Sequence, residues 1–139
     1  MVCMAVIGCS ASSERMAEVT DSFPVLQNVW LGTSVESSEY LWRLDHLRRV
    51  RAAIHFVSFE PLIGSVAGVD LKGIEWAIVG GESGPRARPM QRAWVEEIQV
   101  ACRTAGTAFF FKQWGGVRKD PAGRSFKGST FDEMPATLV

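Results

Sequence analysis

The stretch AIVGGESGPRARP, residues 77–89, sets an apolar segment directly against two glycines, a carboxylate and two arginines. The apolar part is suited to a buried strand, whereas an unpaired charge inside a core costs several kcal/mol. Glu82 is therefore expected where the strand leaves the core. The same junction recurs elsewhere in the chain, and this recurrence predicts the fold.

Four segments share the pattern of an apolar, β-branched or aromatic run that ends in polar residues. They are NVWLGTSVE (28–36), AIHFVSFEP (53–61), IEWAIVGGE (74–82) and TAFFFKQWG (107–115). Near-continuous apolar runs are typical of strands that are covered on both faces, as in a parallel sheet. We therefore predict that these segments form parallel strands.

Parallel neighbours need long crossovers, and two amphipathic segments are suited to form them as helices. Leucines recur at helical spacing in residues 38–53, and apolar residues form one side of residues 93–105. Gly106 stands where a left-handed helix cap is expected. Residues 62–73 are too polar and glycine-rich for a helix, which predicts a loop.

This order of elements predicts an α/β fold, a partial (β/α) barrel-like parallel sheet of four to five strands with flanking helices. The 139 residues are expected to form a single domain. Within it, residues 1–12 are a divergent N-terminus, residues 13–115 hold the β/α units and residues 116–139 form an irregular C-terminal tail.

The polar residues at the strand ends are the candidate ligand-binding residues. In β/α barrels and doubly wound sheets the carboxyl ends of the strands form one rim, where ligands bind. Lys112, Arg86 and Arg88 are expected as counter-charges to the acidic residues of this rim. The alternative is that each residue caps the next helix or pairs locally. The rim candidates are Glu36, Glu60, Gly80, Gly81, Glu82, Arg86, Lys112 and Gln113.

Other candidates leave alternatives open, and the sequence assigns no catalytic residue and no metal ligand. The glycines of GGESG could hold an anion on their backbone N–H groups or could form a plain turn. Trp114 could stack on a planar ligand or pack against the next loop. His55 fits a core or rim histidine better than a general base.

Composition and charge argue against nucleic-acid and membrane partners. Fifteen basic and fifteen acidic residues give a formal net charge of zero. No apolar run approaches the roughly 20 residues of a membrane span, and residues 1–13 lack the positive start of a signal peptide. Cys3, Cys9 and Cys102 are expected to be reduced thiols of a cytoplasmic protein.

Six blocks, which together span residues 13–135, carry a resemblance to a known family. They are SERMAEV, NVWLGTSVE, FVSFEPLIG, IEWAIVGGESGPRARPM, FFFKQWG and TFDEMP. With these blocks the chain resembles a radical-SAM-like family of phage and prophage proteins of unknown function. The resemblance implies a partial or complete (β/α) barrel whose first strand carries cysteines for a [4Fe–4S] centre. That centre would bind and cleave S-adenosylmethionine.

Two departures from the family pattern concern that centre. The chain has no Cys-x3-Cys-x2-Cys triplet, and CSASSERM (9–16) lacks the threonine-lysine-arginine strand end that usually precedes ERM. Both predict a truncated or degenerate member without a cofactor of its own. Such a member is expected to lack catalysis of its own and to keep a rim pocket for a small anionic or adenine-containing ligand. Only the family resemblance suggests S-adenosylmethionine as that ligand. An active enzyme completed in trans by a partner chain and a protein–protein interaction module are the alternatives.

A half-barrel would leave open strand edges and an uncovered inner face, which favours association. The expected assembly is a homo-oligomer, most simply a two-fold dimer in which each half-barrel covers the other's open sheet.

Overall fold

A computed structural model describes residues 3–7, 21–22, 24–118 and 123–136 of the chain. These ranges include five strands, two helices and a short 3-10 turn at Ser38–Tyr40. The strands are β1 (Cys3–Ile7), β2 (Val29–Ser34), β3 (Ile54–Phe59), β4 (Trp76–Gly80) and β5 (Ala108–Gln113). The helices are α1 (Trp42–Arg49) and α2 (Arg92–Ala105).

The five strands form one parallel sheet in chain order, from β1 to β5. In this register Trp30 lies beside Ile54, and Phe56 lies beside Trp76. The predicted α/β class, parallel pairing and flanking helices are confirmed. Barrel closure is not confirmed, because β1 and β5 lie at opposite ends of an open sheet in the part of the chain that is described.

Strand β1 is the element that the sequence pattern did not predict. It pairs with β2 along its length, and the Cys3 N–H donates to the Asn28 carbonyl at 2.7 Å. The segment CMAVI is too short for its periodicity to separate a strand from the apolar part of a leader. The block SERMAEV and Cys9 lie outside the described residues.

Helix α1 is shorter than predicted, whereas α2 agrees closely with its prediction. After α1 ends at Arg49, Val50 adopts an extended conformation (φ −83°, ψ 137°) and leads into β3. Gly106 caps α2 in the left-handed conformation (φ 73°), as expected. No helix in the described ranges is long and apolar enough to cross a bilayer.

The outer face of the sheet packs against the helices and forms the larger core. Val57, Ala77 and Phe111 are fully buried on this face. Leu47 of α1 and Ile98 of α2 pack in the same cluster. The helices bury their apolar sides here, which is why their sequences show helical periodicity.

The opposite face of the sheet, which we call the inner face, carries an aromatic layer centred on Trp76. Its ring centroid lies 5.8 Å from that of Trp30, 6.2 Å from that of Phe56 and 5.9 Å from that of Phe110. The contacts with Trp30 and Phe110 are edge-to-face, an arrangement that the aromatic quadrupole favours. Both faces are therefore apolar, which accounts for strand sequences without a strict apolar–polar alternation.

The C-terminal segment, residues 123–136, covers the edge of β5 that does not pair with β4. The Phe111 N–H donates to the Phe131 carbonyl at 2.8 Å, and the Glu133 N–H donates to the Phe109 carbonyl at 3.3 Å. Phe126 is buried and contacts the ring of Phe111. The described part of the tail therefore contributes to the core and protects an edge strand.

Gly32 provides a test of the inner layer, because the ring of Phe56 lies against it. A Cβ at this position would lie 2.5 Å from atoms of that ring. We expect Gly32→Ala to lower the free energy of unfolding by about 1–3 kcal/mol through overpacking. Urea denaturation measures the loss.

The matched background for this test is Phe56→Leu, which removes the ring. Gly32→Ala should destabilise the Phe56→Leu protein less than it destabilises the wild type. An equal loss in both backgrounds would show that the ring is not the cause.

Candidate functional site

The strand exits of β3 and β5 meet across β4. The Lys112 Nζ lies 2.8 Å from the Glu60 Oε1, although one strand separates them in the sheet. The strand between them ends at Gly80, where a Cβ would lie 3.2 Å from the Glu60 Cδ. Glu60 can therefore extend toward Lys112 because residue 80 has no side chain. We call Glu60, Gly80 and Lys112 the rim cluster.

The rim cluster lies at the surface and not in the core. The side chain of Lys112 is 51% exposed and that of Glu60 is 27% exposed. An ion pair with this exposure contributes roughly 0–1 kcal/mol to stability. The pair is therefore a minor contributor to folding, and both groups are accessible to a ligand.

Glu82 forms its ion pair within its own loop. The Arg88 Nε and Nη2 donate to its two carboxylate oxygens at 2.9 and 3.0 Å, and the Arg88 backbone N–H donates at 2.9 Å. These hydrogen bonds, the side-chain ones first, lower the pKa of Glu82 to about 2. The partner of Glu82 is thus Arg88, whereas Arg86 is exposed.

Glu36 is held at the exit of β2 by the helix that follows. The Arg43 Nη1 donates to the Glu36 carboxylate at 3.1 Å and to the Ser34 carbonyl at 2.8 Å. The guanidinium carbon of Arg43 lies 4.3 Å from the centroid of the Tyr40 ring. The sequence analysis did not identify Arg43 as the partner of Glu36. A basic residue on the helix that follows an acidic strand end is a signal that could have indicated this pair.

The exits of β4 and β5 are joined through their backbones. The Gly81 N–H donates to the Gln113 carbonyl at 2.9 Å, and the Gly116 N–H donates to the Glu82 carbonyl at 2.7 Å. A Cβ at residue 81 would lie 1.8 Å from the Trp114 carbonyl oxygen. These glycines allow two turns to pack closely. Within GGESG, Gly81 and Gly84 already donate their N–H groups to the Gln113 and Gly116 carbonyls, which argues against an anion nest.

The structure also decides between the alternatives for the aromatic and histidine candidates. Trp114 packs on Phe111 with ring centroids 5.0 Å apart and donates its indole N–H to the Ser125 carbonyl at 2.8 Å. Packing against the next loop is therefore its role here. His55 lies near the amino end of β3, where its Nε2 is 2.7 Å from the Val50 carbonyl oxygen.

The rim candidates thus fall into separate local groups. Glu60, Gly80 and Lys112 come together, and the Gln113 Nε2 nearby donates to the Ser83 hydroxyl at 2.8 Å. Glu36 and Glu82 each have their own arginine. The rim is therefore a row of ion pairs at successive strand exits.

The cysteines of the described ranges do not fit an iron–sulfur cluster. Cys3 is exposed on β1, whereas Cys102 is buried on α2. Burial, with a smaller contribution from the charge of Glu133, raises the pKa of the Cys102 thiol to about 12, so it stays protonated. Within those ranges no group of three His, Cys, Asp or Glu residues could hold a metal ion.

A separate cavity lies at the opposite end of the sheet. Its volume is about 670 Å³, and its lining includes Glu75, Thr107, Phe131 and Glu133. These residues lie near the amino ends of β4 and β5 and on the C-terminal segment. The cavity is therefore distinct from the predicted rim, and it carries none of the candidate residues.

The Glu82–Arg88 pair predicts an acid-dependent loss of stability. The pKa of Glu82 is about 2 in the folded chain against a usual value of 4.5, so protonation favours the unfolded chain. Its stabilising contribution should be complete above about pH 4.5 and should disappear as the pH falls to about 2. A nuclear magnetic resonance titration of the Glu82 carboxyl carbon measures this pKa.

Arg88→Gln should raise the pKa of Glu82 toward its usual value, whereas Arg86→Gln should leave it unchanged. A Glu82 pKa near 4.5 in the wild-type protein would contradict the observed bidentate pairing.

The sequence model of one protein family matches residues 9–135. That match includes β2 to β5, both helices, the rim cluster and most of the C-terminal segment. No curated protein and no solved structure matches the chain. The chain therefore belongs to DUF5131, a family of proteins of unknown function.

Proposed function

We propose that the carboxyl rim of the sheet binds a small molecule that is anionic or carries an adenine nucleoside, with Lys112 and Glu60 as its polar centre. The observation that carries this proposal is the exposed Glu60–Lys112 ion pair that spans Gly80. In β/α barrels, whose parallel strands also follow one another in chain order, ligands bind at the carboxyl ends of the strands. The Glu60–Lys112 pair contributes little to stability and lies at the carboxyl end of the sheet, so its charges are suited to binding a ligand.

The two charges of the rim cluster have complementary roles in this proposal. The Lys112 ammonium group has three N–H donors, of which one is directed to Glu60, so it can bind a ligand carboxylate or phosphate as well. The Glu60 carboxylate accepts hydrogen bonds from a ribose hydroxyl or an amino group. Ser34 and Ser58 lie side by side just before the strand exits and offer further hydroxyl groups.

The sequence resemblance narrows the choice of ligand. We infer a degenerate radical-SAM-like protein of phage or prophage origin that binds S-adenosylmethionine or a relative without catalysing a reaction by itself. The parallel β/α order of the sheet supports this inference, and so does the poor fit of the described cysteines to a cluster. Arg86 and Gln113 are secondary contacts in the same proposal.

Thermal unfolding with S-adenosylhomocysteine tests the proposal. A ligand that binds only the folded chain at 100 times its Kd stabilises it by about 2.7 kcal/mol. We expect the melting temperature to rise with ligand in the wild type, and Glu60→Gln and Lys112→Met to remove this rise.

Asp45→Asn is the matched control, because it removes an exposed ion pair with Arg48, 2.8 Å long, that lies on α1. This variant should keep the full ligand effect. The proposal is wrong if the ligand leaves the wild type unchanged, or if both rim variants respond as the wild type does.

The two alternatives predict different results. A chain completed in trans should acquire an iron–sulfur absorption band after anaerobic reconstitution with iron, sulfide and its partner. An interaction module should bind a protein partner and show no response to small anionic ligands.

A further inference from the structure

The two edges of the sheet differ in how they are protected. The outer edge of β5 is hydrogen-bonded to Phe131 and Glu133 of the C-terminal segment. At the other end of the sheet, no residue in the described ranges pairs with the outer edge of β1. Within the described ranges, therefore, only the β5 edge of the sheet is protected from pairing with another strand.

The backbone of β1 directs hydrogen-bonding groups away from β2, on the side where no strand of the described ranges lies. The Cys3 N–H is directed to Asn28 beside β2, and successive residues of a strand alternate in direction. The N–H and carbonyl groups of Met4 and Val6 therefore face outward. Edge strands of monomeric proteins are usually protected by lysine, proline or a bulge, and CMAVI contains neither lysine nor proline.

The apolar inner layer is partly exposed at β1. Met4 is 45% exposed, whereas its neighbour Trp30 on β2 is 3% exposed. Farther along the layer, Phe56 and Trp76 are buried as well. The centre of the inner face is thus buried, whereas Met4 leaves apolar surface exposed beside the edge of β1.

We propose that β1 pairs with β1 of a second copy of this chain, antiparallel across a two-fold axis. Each copy of the chain would contribute five strands to one continuous sheet. Addition of β1 to β5 of a neighbour is blocked by the C-terminal segment, so β1 with β1 is the self-pairing that the edges allow. Association then closes as a dimer and does not continue as a filament. This inference is independent of ligand binding at the rim.

Sedimentation velocity of the full chain at micromolar concentration tests the dimer. The wild type should sediment as a dimer, and Met4→Lys should weaken the association at least tenfold by placing like charges at the shared edge. Met4→Pro should do the same by removing an outward N–H, a change that edge strands tolerate. Met134→Lys is the matched control, since Met134 is 55% exposed on the C-terminal segment.

Amide hydrogen exchange gives a second readout that needs no variant. The amide protons of Met4 and Val6 should exchange slowly in the dimer and rapidly after dilution to the monomer. A wild-type monomer at these concentrations would overturn the proposal. So would a dimer that both Met4 variants leave intact, or one in which these two amides exchange rapidly.

Discussion

Parallel hydrogen bonding between strands that are consecutive in the chain is the interaction on which the remaining structure depends. Parallel neighbours cannot be joined by a tight turn, so each strand must be followed by a crossover that returns the chain to the starting end. The crossovers between β2 and β5 cover the outer face, where α1 and α2 pack. All strand exits then lie at one end, which is how Glu60 and Lys112 meet although 52 residues separate them.

The ion pairs of the rim differ in what they require. Glu36 with Arg43 and Glu82 with Arg88 are close in sequence, so a strand exit and its following segment suffice to form them. Glu60 and Lys112 meet only if β3, β4 and β5 have their observed order and if residue 80 lacks a side chain. The Glu82–Arg88 pair is as exposed as the Glu60–Lys112 pair, so what sets the second pair apart is its dependence on strand order. The glycines at 81 and 115 serve close backbone packing between turns.

Much of the sheet could be predicted because its strands are buried on both faces, which leaves long apolar runs such as IEWAIVGGE. Strand β1 was missed because five residues carry too little periodicity, and Phe126 was missed because an isolated aromatic residue in a glycine-rich tail gives no pattern. The candidate site was predicted to the level of strand exits. The pairing of Glu60 with Lys112 could not be predicted, since it depends on strand order and register, which a single sequence does not specify. The helix boundary at Arg49 depends on where the chain must turn toward β3.

The parallel order of β3, β4 and β5 is the central claim, and nuclear Overhauser contacts between backbone protons test it most directly. The register places Val57 beside Ala77 and Ala77 beside Phe109. The account predicts amide-to-α contacts between these neighbours, in the pattern of parallel strands. Strong α-to-α contacts typical of antiparallel pairs, or contacts that place other residues beside Ala77, would contradict it.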